Sequence, residues 1–421
     1  GTWSIDLATA TPVTGSLSLN ANGTNTVSAT ATDASGNVSA PGTQTLTIDT
    51  TLPNAPVVTS AVLTNSTTPT LTGTAEAGST VTVTVGGATY TITATGGSWS
   101  VDLATATPIA GSLSLNANGA NPISATATDA AGNVSAAGTQ SLTIDTTAPN
   151  APVVTSAALS NSTTPTIGGT AEAGSTVTVT VGGATYTTTA TGGNWSVDLA
   201  TATPVTGALS LNANGANTVS ATATDASGNV SAPGTQTLTI DTTNPNAPVI
   251  ATTLSNSTTP ILTGTAEAGS TVTVTVGGAT YSTTATGGSW SVNLATATPV
   301  TGTLSLNANG TNPVSATATD AAGNVSAPGT QALTIDTTAP TATVLFEDDS
   351  IDAVEQSSAA FTISGGEAGA AYSWTIVSAG GGQVTGSGVM SGPTMRVTGL
   401  DLSGLGDGPL TLTLGLTDPA G

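Results

Sequence analysis

STVTVTVGGATYTITATGGSWSVDL, residues 79–103, decides the fold. Val81, Val83 and Val85 alternate with Thr80, Thr82 and Thr84, the period of two expected of a strand that buries one face and wets the other. Gly86–Gly87 and Gly96–Gly97 interrupt the alternation with pairs that take positive φ freely, so three strands follow one another through tight turns. Upstream, TPTLTG (68–73) reads as the first strand and AEAGS as the turn after it. Downstream, the loop around Pro108 leads to SLSLNA, NPISATATD (121–129), the turn AAGN and a last strand TQSLTID (139–145). No helical 3.6-residue pattern of useful length occurs. About seven alternating strands with regular turn signals predict an all-β immunoglobulin-like sandwich.

The same pattern recurs. Trp3, Trp99, Trp195 and Trp290 mark its register about every 96 residues, the size of a small domain and too long for one coil of a solenoid. The boundaries fall at TTLPNAP, TTAPNAP, TTNPNAP and TTAPTAT, where proline fixes φ and discourages strand pairing. Five segments result: 1–50, the C-terminal half of one domain; 51–146, 147–242 and 243–337, complete repeats; and 338–421, a divergent domain lacking its final strand. Short, stiff linkers between near-identical sandwiches predict tandem domains in an extended rod. At roughly 40 Å per repeat, from strands of about 27 Å plus loops and linker, the rod would span about 150–200 Å. The chain starts at Gly1 in mid-motif and stops at TDPAG, which reads as a piece of something longer.

Composition removes whole classes of function. The 421 residues include one Lys or Arg (Arg396), 23 Asp or Glu and no His, for a net charge of -22. Nucleic acid and anionic membrane surfaces both need cations this chain does not have. No apolar run is long enough to span a bilayer. With no Cys, His or Lys there is no disulfide, no thiol nucleophile, no Ser/His/Asp set and no Schiff-base amine, so the repeats are expected to be non-catalytic. The usual zinc ligands are absent, whereas carboxylate, amide and carbonyl oxygens are plentiful; calcium is the metal such donors would take.

The acids are placed rather than scattered. Up to Thr338 every one lies in four contexts: WSVDL (Asp102, Asp198, and Asp6 in the variant WSIDL), TDxxGN (Asp33, Asp129, Asp225, Asp320), IDTT (Asp49, Asp145, Asp241, Asp336) and TAEAG (Glu76, Glu172, Glu267). With TPTLTG as the first strand, the TAEAG turn falls at the trailing end of its domain beside the IDTT aspartate, and TDxxGN falls at the leading end. Stacked domains would then gather Glu76, Asp145 and Asp225; Glu172, Asp241 and Asp320; and Glu267, Asp336 and Asp418, with Asp49 and Asp129 at the first junction. Two carboxylates about 4 Å apart repel by about 4 kcal/mol at an effective dielectric of 20, and a calcium ion would turn that repulsion into a clamp. Linker carbonyls and the turn amides of Asn229 and Asn324 would complete the shell. An Asp that merely caps its own turn is the competing reading. The WSVDL aspartates read as non-metal, because the fourth copy has Asn293 there.

TDASGNVSAPGTQTLTIDTT (32–51), PNAPVVTS (53–60), LTGTAEAGSTVTVTV (71–85) and WSVDL (99–103) together resemble the tandem bacterial Ig-like repeats in the stalks of giant surface adhesins. VLFEDDSIDAVEQSSAAFTISGGEAG (344–369) looks like a second Ig-like subtype of those proteins. The resemblance covers most of each copy. It implies a stalk at the bacterial cell surface, extracellular, exported by type I secretion as in RTX and biofilm-associated adhesins. The partners would be the neighbouring Ig-like domains, with the adhesion ligand bound elsewhere in the parent protein. The alternative is an adhesive module whose own domains bind glycans or partner proteins, first of all 338–421, whose hairpin over 371–396 carries Tyr372, Trp374, Met390, Met395 and Arg396. Trp99 and its equivalents read as core anchors. Asn65, Asn161 and Asn256, in Asn-x-Ser/Thr triplets, read as turn formers.

Overall fold

A computed structural model describes residues 1–421, and every regular element is a strand. No helix is long and apolar enough to cross a membrane. Two compact units are present: one holds 1–157, 164–211 and 218–237, the other 158–163, 212–217 and 238–421.

In the first unit, residues 1–50 form a hairpin of β1 (Gly23–Ala29) and β2 (Gly42–Ile48). The repeat 51–146 follows with β3 (Val57–Val58), β4 (Leu63–Thr64), β5 (Thr70–Thr74), β6 (Thr80–Val85), β7 (Ala88–Thr93), β8 (Ser98–Asp102), β9 (Asn118–Thr128) and β10 (Gly138–Asp145). One sheet has the order β3-β5-β8 and the other β4-β10-β9-β6-β7. All pairings are antiparallel except β4 with β10, which runs parallel through Leu63–Thr143 and Thr64–Ile144. Val81, Val83 and Val85 face inward and pack with Leu71, Tyr90, Trp99, Ile123, Leu142 and Ile144, while Thr80 and Thr84 are exposed. Burying these side chains supplies the main driving force for folding, each contributing about 1.5–3 kcal/mol.

Two glycines show why the pattern holds. Gly86 and Gly87, both at positive φ, close a two-residue loop between the paired Val85 and Ala88, so the alternation carries through without a slip. Gly73 lies under the indole of Trp99, where a Cβ would come within 2.3 Å of the ring. Trp99 is 3% exposed and its Nε1 donates to the carbonyl of Thr74 at 3.3 Å. It is the core anchor the sequence suggests.

The repeat 147–242 keeps the same local pairings within each unit: Val153–Val154, Thr166–Thr170 and Asn194–Asp198 side by side, and Thr176–Val181 between Ala184–Thr189 and Asn214–Thr224. In the second unit, 243–337 repeats both sheets, with Ile261–Thr265 central in one and Asn309–Thr319 inside the other. Residues 338–421 form two three-stranded sheets. Phe361 and Trp374 meet edge to face at 5.6 Å in the core between them. Tyr372, Trp374 and Met390, singled out above as a place to bind partners, are all buried in that core. Arg396, with Thr362, instead holds Glu347 in the molecule's one ion pair.

One expectation about direction is overturned. TPTLTG is the third strand of its repeat, because the two-residue strands β3 and β4 precede it. Val57, where the chain comes in, pairs with Thr74, so the TAEAG turn lies at the leading end of the domain.

Candidate functional site

The DxxGN turn is built from its own residues. In 129–133 the amides of Ala131 and Asn133 both donate to Asp129 Oδ1 at 2.9 Å, and the Asn133 side-chain amide donates to Asp129 Oδ2 at 2.8 Å. Gly132, at φ +93°, lets the chain turn back so that the Asp129 amide reaches the Asn133 carbonyl. The turns at Asp33, Asp225 and Asp320 repeat the Asp–Asn pairing. These donors shape the acidity. Asn37 holds the Asp33 carboxyl below its ordinary 3.8, and Asn133 does the same at Asp129. At Asp225 and Asp320 burial is the strongest single influence and pulls upward, yet the Asn229 and Asn324 donors and the turn amides together outweigh it, and both groups stay below 3.8.

This turn meets the last strand of the preceding domain. Nδ2 of Asn133 also donates to the backbone carbonyl of Asp49 at 3.1 Å; Asn229 reaches Asp145 and Asn324 reaches Asp241, each at 2.8 Å. At the second junction Ser227 Oγ adds a 3.3 Å bond to Asp145 Oδ2. Carbonyl and carboxylate both accept, so only the NH2 of the asparagine can face them.

The IDTT aspartates turn their carboxylates to the linker, where Oδ1 of Asp49, Asp145, Asp241 and Asp336 accepts from the amides of Thr51, Thr147, Thr243 and Thr338 at 2.9–3.0 Å. Sequence reading missed their partners. Asn118 Oδ1 accepts from the Thr146 amide at 2.8 Å and from the hydroxyls of Thr146 and Thr147, and Asn22, Asn214 and Asn309 do the same. The signal was present as NANGxN in every copy. Each linker is therefore bonded to the domain it leaves, whatever proline adds.

Asp102 and Asp198 cap the turns after their strands and bond Thr105 and Thr201, and Asn293 caps in their place in the fourth copy.

The triplets drawn from sequence do not form. β6 begins at Thr80, opposite Thr128 of β9, so Glu76 lies at the same end as Asp129. Asp145 pairs with Asn118 at the far end of β9, roughly 35 Å away. Each glutamate therefore belongs one junction earlier than expected: Glu76 with Asp49 and Asp129, Glu172 with Asp145 and Asp225, Glu267 with Asp241 and Asp320. Asp336 and Asp418 keep company with Glu367 rather than Glu267. Asp336 and Glu367 line one cleft of about 560 Å³ together with Asn309 and Pro340. At that end of the last domain Ala371 pairs with Thr417, and Asp418 Oδ1 is buried without a hydrogen-bond partner. The donor chemistry, carboxylate and carbonyl oxygen, suits a hard cation. Nowhere, however, do three acidic side chains gather closely enough to hold a metal ion between them.

A family model, Bacterial Ig-like domain, matches residues 57–146, 153–242 and 251–337. The chain belongs to that family. Among solved structures it is similar to a tetra-tandem repeat in the extending region of a large adhesion protein, at 22% identity over 87% of this chain and 100% of that one, TM-score 0.31. It is also similar to the FN1-FN3 domains of chicken CNTN1, at 12% identity over 68% and 99% of the two chains, TM-score 0.28. Fibronectin(III)-like modules of Clostridium thermocellum CbhA match at 14% identity over 44% and 95%, TM-score 0.29. No curated protein sequence matches it.

Proposed function

We propose that this chain is a non-catalytic stalk or spacer segment of a bacterial cell-surface adhesin, holding an adhesive region carried elsewhere in the parent protein away from the cell. The observation that carries this reading is repetition of the same joint: an asparagine of one domain bonded to the last-strand carbonyl of the domain before it, at three successive boundaries. A binding or catalytic site would be expected to occur once. A joint is needed wherever two domains meet. The sequence resemblance adds the surface location, export by type I secretion and a role in adhesion or biofilm formation to the same reading. The adhesive-module alternative loses ground, because Tyr372 and Trp374 of the last domain are core residues.

Calcium remains part of the proposal, with the ligand sets regrouped. Asp145, Glu172 and Asp225 would serve the second junction, Asp241, Glu267 and Asp320 the third, and Asp336, Glu367 and Asp418 the fourth, with backbone carbonyls completing the shell. The ion would neutralise like charges that otherwise push adjacent domains apart.

Small-angle scattering of the whole chain tests the stalk. The expected result is a maximum dimension of about 150–200 Å that shortens or blurs when EDTA replaces millimolar calcium. A collapsed particle in both conditions would defeat the stalk reading. An extended particle indifferent to EDTA would defeat only the calcium.

A further inference from the structure

The asparagines of the Asn-x-Ser/Thr triplets lie at the boundaries too. β4 runs parallel to β10 and ends at Thr64, so Asn65 emerges at the trailing end of its domain, where Asp145 finishes the last strand. There its amide lies against Gly228 of the next DxxGN turn: a methyl built on Gly228 would come within 3.4 Å of Asn65 Nδ2. Asn161 stands in the same relation to Gly323, also at 3.4 Å. At the fourth boundary Asn256 Nδ2 donates to a main-chain oxygen of Gly421, the last residue of the sequence, at 2.6 Å. As turn formers alone, these three asparagines would have no reason to meet another domain, and each meets the glycine of the next domain's turn.

We infer that the second and third junctions are two-point clamps made of asparagine amides, with Asn65 and Asn161 as the second set of positioning residues and Asn256 in the equivalent place at the fourth. The first point is the downstream turn reaching back, Asn229 to the Asp145 carbonyl; the second is the upstream loop reaching forward, Asn65 to the backbone around Gly228. Amides thus come from both domains, and they meet adjacent residues of the turn, Gly228 and Asn229. One hydrogen bond leaves a domain free to swivel about it; a second contact made from the other domain restricts that freedom. The glycine serves the turn through its positive φ; a Cβ there would meet the upstream amide at ordinary contact distance. The complementary partner is accordingly another Ig-like repeat ending in the same loop and strand. The clamp consists of neutral amides and carbonyls, so it orients the domains whether or not a cation is bound. This inference deepens the stalk reading and rests on it only for its biological purpose.

The chain contains no cysteine, so labels can be placed at will. Spin labels on Thr91→Cys and Thr187→Cys, exposed positions of equivalent strands in adjacent repeats, report the second junction in the full chain. The expected distance distribution in EDTA is a single narrow peak. Asn229→Asp keeps the shape of the side chain but removes the N–H and sets an anion against the Asp145 carbonyl; loss of the narrow peak is expected. Asn65→Ala is expected to broaden the distribution as well, and Asn37→Asp, in a turn remote from the second junction, to leave it as it was. Circular dichroism melts identify any variant that has lost its fold. A narrow peak indifferent to both Asn229→Asp and Asn65→Ala would overturn the clamp and leave the stalk standing. A broad distribution in the otherwise unaltered chain would overturn it as well, whatever scattering says of the stalk.

Discussion

Residues 33–37 and 225–229 are the same five amino acids, DASGN, in different company. Alone, the first makes the turn in full: Ser35 and Asn37 amides donate to Asp33 Oδ1, and the Asn37 side chain donates to Asp33 Oδ2, all at 2.9 Å. Against the preceding domain, the second makes the same three bonds at 2.8 Å and adds two to Asp145. The neighbour does not shape the turn; it finds it ready. A surface already in its docked form loses little conformational freedom on docking, so modest bonds suffice to fix an orientation. Trp3 and Trp195 teach the opposite lesson. The first is 69% exposed and the second 4%, because a buried indole needs a facing strand that residues 1–50 do not contain. Local bonds survive isolation, whereas a core does not.

Substitutions made in pairs test that distinction. The largest effect is expected from Trp195→Ala, about 3–5 kcal/mol in chemical denaturation, against less than about 0.5 kcal/mol for Trp3→Ala. Equal losses would mean that residues 1–50 have a core of their own. Millimolar calcium comes next. For sites with dissociation constants of about 10⁻⁴–10⁻³ M, 5 mM ion stabilises by about 1–2 kcal/mol per site, read as a raised melting midpoint. The rise should disappear from the second junction in Glu172→Gln and persist there in Glu76→Gln, the reverse of what the sequence-based triplets would give.

Acid should act more gently. Asp225 lies below its ordinary 3.8 when folded, so its contribution is complete above that value and is lost as pH falls through the folded pKa. Label distances across the junction are expected to hold steady from pH 7 to about 5 and to broaden only below about 4. Loss of order near pH 6 would point to some other group. The smallest effect belongs to Ser227→Ala, which removes a single long bond to Asp145 and should change the midpoint barely more than Ser35→Ala does.

The sandwich was legible because valine and threonine alternate over whole strands and paired glycines punctuate them. The Trp anchors and the junction asparagines beside their aspartates were legible from recurrence. The placement of the glutamates was not. Val57–Val58 and Leu63–Thr64 are two residues each, too short for alternation to show; they run the same way, so together they make one missed traverse, and that reverses every end assigned after it. Asn65 escaped for another reason: its partner lies more than 160 residues further along the chain, and nothing local marks it.

The parallel pairing of Leu63–Thr64 with Thr143–Ile144 decides how a repeat meets tension. A pull on both ends of the domain draws β4 and β10 past each other along their length, so their bonds, including that from the Thr143 amide to the Val62 carbonyl, are loaded together in shear. A hairpin pulled at its open end would unzip one rung at a time. Force therefore reaches the valine core only after this short seam has slipped.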